Sequence, residues 1–220
     1  MKCYIKDYPR PQFMRTDWEN LNGTWDFGFD DENAGEKEKW YQEFKGDKKI
    51  NVPFTYETKL SGIQDETRHD FIWYHRTINV DGVKLENNRY ILHFEGSDFI
   101  TKVWVNGAYA GSHRGGYARC SFDVTNLVHD GENELTVKVE DSFDTQQPRG
   151  KQRWINENFG CWYVQTTGIW KTVWSEYVPK ISLASVKMTP DLQNAALKLE
   201  YEVAAAEKDL DDDLMITATV

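Results

Sequence analysis

"TKVWVNGAYAGSHRGG", Thr101–Gly116, is the stretch on which the fold turns. Two apolar-patterned runs, "TKVWV" and "AYAGSHR", flank Asn106-Gly107. Asn-Gly between such runs is a strong signal for a two-residue hairpin, because both turn positions need positive φ. Once this segment is a hairpin, its neighbours fall into the same pattern. "GTWDFGF" (Gly23–Phe29) alternates Trp25, Phe27 and Phe29 with small or polar residues, and "FIWYHRTINV" (Phe71–Val80) sets Ile72, Tyr74, Arg76, Ile78 and Val80 on one face. "RYILHFEG", "ARCSFDVTNLV", "NELTVKVED", "GIWKTVWSEYV", "ISLASVKMTP" and "ALKLEYEVAAA" follow, separated by Gly, Asn, Asp and Pro. The sum is roughly ten short strands at sandwich-like spacing. Helical turns are expected only in Gly35–Phe44 and Val124–Val128. No strand–helix alternation is present, which argues against a parallel α/β sheet.

The chain has 220 residues, enough for a sizeable core, and its 14% aromatic content excludes a disordered protein. A net charge of -10 argues against nucleic acid or an anionic membrane as partner, since both attract basic patches. No window approaches the apolar length of a membrane span, and "MKCYIKDYPRPQF" has no apolar signal core. Cys3, Cys120 and Cys161 form no C-x-x-C pair and are odd in number, so reduced thiols are expected, with no metal and no cofactor. Past Val178–Lys180 Trp and Phe disappear, and Ala, Leu, Lys and Asp take over. That shift sets a boundary there, and residues 181–220 supply too few strands for a sandwich of their own. The chain therefore reads as cut inside its second domain.

Several motifs in fixed order resemble one family, the N-terminal domain of glycoside hydrolase family 2, which includes β-galactosidases and β-glucuronidases. They are "LNGTWDFGFD" at 21–30, "INVPFTYE" at 50–57, "FIWYHRTINV" at 71–80, the long stretch 92–141, and "GIWKTVWSE" at 168–176. The resemblance implies an all-β architecture. Residues 1–179 would form a jelly-roll, galactose-binding-like sandwich, and 180–220 would begin an immunoglobulin-like sandwich. A (β/α)8 barrel bearing the catalytic carboxylates would come third, so no catalytic residue is assigned within these 220. The expected partners are a β-linked sugar and that barrel; a second copy of the chain stays open. The stretch 144–170 resembles a subgroup of cytoplasmic bacterial enzymes, which implies a cytoplasmic location. In that subgroup a carboxylate about six residues before the Gly-Ile pair reaches the sugar; counting back from Gly168 gives Trp162 instead.

Three stretches carry candidate sugar contacts. "RWINENFGCWYVQTTGIWKTVW", Arg153–Trp174, concentrates Trp154, Trp162, Trp170 and Trp174 with Phe159 and Tyr163. Sugars have apolar C–H faces and polar rims, so rings stack on them while amides and carboxylates take the hydroxyls. Trp154, Trp162 and Tyr163, beside Asn156, Glu157, Asn158 and Gln165, suit that chemistry, whereas Trp170 and Trp174 pattern as core. Gln64, Asp65 and Arg68 in "IQDETRHDF" sit in a polar loop that the resemblance turns toward the active-site mouth. In "QQPRGKQ", Arg149 and Lys151 are placed to meet a substrate carboxylate. The bland readings compete: aromatic core, solvated loops, and ion pairs to the barrel. His113, beside Gly115-Gly116, is expected as a hydrogen-bonded structural residue, and the acidic run Glu207–Leu214 as a solvated loop, since it lacks the EF-hand pattern. Two rival roles remain open, a free carbohydrate-binding module and a purely structural domain.

Overall fold

The expected hairpin is present in the computed structural model, which describes residues 7–144, 146–205, 215–217 and 219. Asn106 and Gly107 have φ of 51° and 76°, the left-handed pair that the turn requires. The strands are β1 (Trp18–Asn20), β2 (Gly23–Phe29), β3 (Lys48–Val52), β4 (Phe71–Val80), β5 (Asn88–Phe94), β6 (Ser97–Asp98) and β7 (Ile100–Val105). They continue as β8 (Ala108–Arg114), β9 (Cys120–Asp123), β10 (Gly131–Glu140), β11 (Gly168–Ile169), β12 (Val173–Pro179), β13 (Ser182–Asp191) and β14 (Ala196–Ala204). A six-stranded sheet, in the order β3-β2-β4-β10-β7-β8, faces a four-stranded sheet, β1-β12-β5-β9. The short ribbon β6–β11 stands beside them, and β13 pairs with β14 alone. Every pairing between named strands is antiparallel. The all-β sandwich reading is correct.

Alternation decides what enters the core. Trp25 and Phe27 of β2, Ile72 and Tyr74 of β4, and Val137 and Val139 of β10 point inward from the large sheet. Tyr90, Leu92 and Phe94 of β5 and Val173 of β12 meet them from the small one. Each such side chain, when fully buried, contributes about 1.5–3 kcal/mol, which lets a sandwich without a disulfide among its described residues hold together.

The outer faces are not bare. Trp73 and Trp104 stack at 5.3 Å on the outside of the large sheet. Segment 31–46 roofs them, with Tyr41 flat on Trp104 at 5.3 Å and Trp40 tilted over Trp73 at 5.9 Å. The turns expected over Gly35–Phe44 are present as isolated hydrogen-bonded turns, the Glu38 amide to the Ala34 carbonyl at 2.9 Å and the Glu43 amide to the Lys39 carbonyl at 3.1 Å, and they do not join into a helix, with Lys39 at φ 59°. The sheet overrides local propensity here. Asp30 takes the Ala34 and Gly35 amides at 2.7 and 3.0 Å and the Trp73 indole at 2.9 Å, which pins the roof. Val124–Val128 is likewise a turn, and the short helix α1 (Gly82–Leu85), capped by the Asp81 carboxylate, was not anticipated.

Trp174 is fully buried, but outside the sandwich core. Its ring stacks on His93 at 4.0 Å beneath Tyr8 and Trp18, on the outer face of the small sheet, because Val173 takes the inward register. Trp170 is a half-buried rim residue donating to the Gly116 carbonyl at 2.8 Å. His113 departs from expectation: its Nε2 is buried without a hydrogen-bond partner. Cys120 is buried and Cys161 exposed, both free; Cys3 and the run Glu207–Leu214 lie outside the described residues. Among the described residues no helix is long and apolar enough to cross a membrane, and no His, Cys, Asp and Glu cluster could hold a metal ion.

Candidate functional site

Between β10 and β11 the chain leaves the sandwich for residues 141–167, the segment that holds most of the candidate contacts. Its two arms are stitched where Tyr163 donates to the Lys151 carbonyl at 3.0 Å and Arg153 donates to the Tyr163 carbonyl at 2.7 Å. Beyond the stitch, Gly160 turns at φ 54°, and Trp154, Phe159 and Trp162 form a ring cluster. Trp154 and Trp162 meet edge to face at 4.6 Å. Much of the Trp162 surface is therefore spent within the loop, whereas Tyr163 is 52% exposed.

Arg153 ties this loop to the second candidate loop. Its buried guanidinium donates through Nε to Gln165 Oε1 at 2.9 Å, through Nη1 to Asn158 Oδ1 at 3.1 Å, and through Nη2 to the Glu66 carbonyl at 2.5 Å. Gln165 adds donations to the Glu66 and Thr67 carbonyls at 3.4 and 3.3 Å. Loop 63–70 is itself held by Tyr56, which donates to the Thr67 carbonyl at 3.0 Å and accepts from the His69 amide at 3.1 Å. The two loops thus enclose an open concavity of about 640 Å³, lined by Glu66, Thr67, Arg68, Arg153 and Asn156. Glu66 is the one carboxylate among these lining residues.

Of the residues picked from sequence, Arg68 and Asn156 line this concavity. Arg68 is bidentate with Asp70 and lies over Phe143 at 4.7 Å. Gln64 is exposed at φ 57°, outside the lining. Asp65 spends its carboxylate on the Thr67 amide and hydroxyl at 2.9 and 2.6 Å, and these bonds, the hydroxyl's first, lower its pKa. Glu157 and Asn158 are exposed, with Asn158 accepting from Arg153. Arg149 must be corrected. Its head is buried, donating to the Ser142 carbonyl and to the Arg153 carbonyl at 3.3 Å, with Asp141 at 3.6 Å, so it faces the interior and not the concavity. Lys151 is exposed. Gln165, read with the aromatic stretch as a polar sugar partner, is buried and spent on Arg153 and the Glu66 and Thr67 carbonyls, while Arg153 went unpicked. The available signal was a charged residue opening an aromatic run, which burial can tolerate only when it is well paired.

At the root of the loop three carboxyls are buried with few partners. Glu57 accepts from the Thr167 amide at 3.0 Å through one oxygen, leaves the other unpaired, and is pushed up to about 7 by burial. Asp98 accepts from Gln152 at 2.8 Å, leaves Oδ1 unpaired, and is pushed to about 7 by burial and then by the Asp141 charge. Asp141 takes Gln147 at 2.5 Å and the Thr167 hydroxyl at 3.1 Å, and burial raises it as well. Gly116 is obligatory beside this group, because a Cβ there would lie 2.2 Å from Asp98 Oδ1.

The comparisons with known proteins agree with this architecture. The family model for "Glycosyl hydrolases family 2, sugar binding domain" matches residues 18–174. A β-galactosidase of Thermoanaerobacter pseudethanolicus is 25% identical over 215 residues, covering 94% of this chain and 26% of that protein. A β-glucuronidase of Paenibacillus borealis is 29% identical over 144 residues, covering 63% of this chain and 23% of that protein. Among solved structures, a β-glucuronidase from an uncultured Clostridium superposes with a TM-score of 0.66 at 25% identity, covering 86% of this chain and 34% of that one. The chain thus spans about a quarter of the length of these curated relatives. The family match extends from β1 into β12 and takes in both loops of the concavity, and on that ground the chain belongs to glycosyl hydrolases family 2, carrying its sugar binding domain.

Proposed function

We propose that this chain is the N-terminal, non-catalytic region of a retaining β-glycosidase of the β-galactosidase or β-glucuronidase type. Residues 1–179 are its sugar binding domain, and the hairpin β13–β14 opens an immunoglobulin-like domain that leads to a catalytic barrel. In this reading the sandwich buttresses the barrel and lends it the loops 63–70 and 151–165 as part of the sugar site. The observation that carries it is the joining of these two loops by Arg153 around a concavity, inside the span matched by the family. Retaining hydrolysis needs two carboxyls about 5 Å apart. Glu66 stands alone as a carboxylate in the concavity lining, so the reading assigns both reacting groups to the barrel.

Hydrolysis of nitrophenyl β-D-galactoside and β-D-glucuronide by the full product of the gene, and by these 220 residues alone, tests the proposal. The full product is expected to release nitrophenol from one of them with retention of anomeric configuration by NMR, and the 220-residue chain to release none. Turnover by the short chain, or inversion by the full product, would overturn it.

A further inference from the structure

A second concavity, about 750 Å³, lies away from the loops. It crosses the outer face of the six-stranded sheet from Asp26 of β2 to the Asn106-Gly107 turn, at the end of β7 remote from Asp98 and loop 141–167. We infer that this groove is a second carbohydrate site, for a neutral oligosaccharide, independent of the site that the loops form.

The groove has one aromatic wall and a polar floor. Trp40, Tyr41 and Phe44 of the roof segment make the wall; His75, Thr136 and Glu134 make the floor. Trp40 and Tyr41 are backed by Trp73 and Trp104, and Phe44 stacks on His75 at 5.0 Å. The wall is fixed before any ligand arrives. Asp30 holds the start of the roof, and Glu36 accepts from Lys102 at 2.7 Å and Lys138 at 2.8 Å. Gly46 presses the far end onto β2 so closely that a Cβ would lie 2.4 Å from the Phe27 carbonyl. A rigid wall lowers the ordering cost of binding.

The polar groups select the class of ligand. Gln42 exposes an amide with no partner among the described residues, and Glu134 commits one oxygen to His75 Nε2 at 2.5 Å, leaving the other available. Asp26 flanks the other ring nitrogen at 3.7 Å, and Lys49 is spent on Asp26. With two carboxylates on His75 and the nearby lysine committed, uronates, phosphates and sulfates are disfavoured. Sugar C–H faces against Phe44, Tyr41 and Trp40, with hydroxyls on Gln42 and Glu134, satisfy both halves of the groove. The volume lies within the usual range for small-ligand sites, about 300–1,000 Å³.

Amide NMR spectra of this chain, titrated with cello-, xylo- and galacto-oligosaccharides and with an oligogalacturonide, test the inference. Millimolar binding of at least one neutral oligosaccharide is expected, with shifts confined to 40–46, His75, 106–107 and 134–136. Gln42→Ala, at an exposed position that does not endanger folding, and Phe44→Ala are each expected to weaken it at least about tenfold. Trp162→Ala, in the loop, is expected to leave it unchanged. Shifts confined to 63–70 and 151–165, equal or stronger shifts with the oligogalacturonide, or no shifts with any sugar would each overturn the inference. None of these outcomes depends on whether the full product hydrolyses a glycoside, so this test and that of the proposed function fail separately.

Discussion

Two buried acidic centres lie on different parts of this sandwich and behave in opposite ways. On the outer face of the small sheet, Glu176 is held by Arg10 at 2.9 Å, Arg15 at 3.0 Å and His93 at 3.1 Å. Burial alone would raise its pKa; the His93 hydrogen bond and the two arginine charges outweigh that and hold it at about 2. At the root of loop 141–167, Asp98 and Glu57 are just as buried, yet each keeps an unpaired oxygen and sits at about 7. The first centre is a closed ion cluster that fastens the N-terminal segment to β12. The second is an under-partnered polar group beneath loops that the proposed function turns toward sugar. Stability is concentrated in the first and given up in the second, as happens where a fold supports a working surface.

The comparison breaks most visibly at Glu176. Glu176→Ala leaves Arg10, Arg15 and His93 around an empty site, and removing one partner of a buried charge cluster costs about 3–5 kcal/mol. Urea unfolding is expected to show that loss; a change below about 1 kcal/mol would mean that solvent already screens the cluster. The native pKa lies below the unfolded value, so this stabilisation is present above about 4.5 and disappears as pH falls toward about 2.

Asp98 has the opposite sign and a smaller effect. Its native pKa of about 7 stands above the unfolded value of 3.8, so folding favours the protonated form. Its contribution is best below 3.8 and worsens as pH rises through about 7. Asp98→Asn keeps the shape and removes the charge. It is expected to stabilise the protein by on the order of 2 kcal/mol at pH 8 and to have little effect near pH 4, read as the difference in thermal unfolding between the two conditions. Equal effects at both pH values would show that Gln152 and Arg149 already compensate the charge.

How much of this was legible in the sequence depends on the range of the interaction. The Asn106-Gly107 turn and the alternation in β2, β4 and β10 are local rules, so the strands and the large-sheet core were readable from the residues themselves. The roof 31–46 was not, because Trp40 and Tyr41 leave helical geometry only to lie on Trp73 and Trp104, far away in sequence. Trp174 could be read as buried but not as lying outside the core, since which face of β12 turns inward is set by Leu92 and Phe94 across the sheet. The two loops were visible as polar and aromatic insertions. Their junction was not: Arg153 meets the Glu66 carbonyl 87 residues away, and a backbone acceptor leaves no mark on sequence. Arg149 and Arg153 look alike in the chain, and only the fold separates the arginine buried at the loop root from the one at the concavity.

Arg153 gives the smallest effect and the sharpest discrimination between the two centres. Its partners are two side-chain amides and a carbonyl, not a counter-ion, so little of its contribution is electrostatic. Arg153→Lys keeps the charge, but a single ammonium cannot span acceptors that the planar fork reaches in three directions. Losing such hydrogen bonds costs about 1 kcal/mol each when water can replace them, as the concavity allows. The cost should fall on local opening rather than on global unfolding, because β10, β11 and the core stay paired. Amide hydrogen exchange is therefore expected to quicken about tenfold in 63–70 and 151–165, corresponding to about 1.4 kcal/mol, while the core strands of the large sheet keep their protection. If exchange instead quickened equally across β4 and β10, Arg153 would belong with Glu176 as part of the global fold, and the division between a stabilising side and a working side would fail.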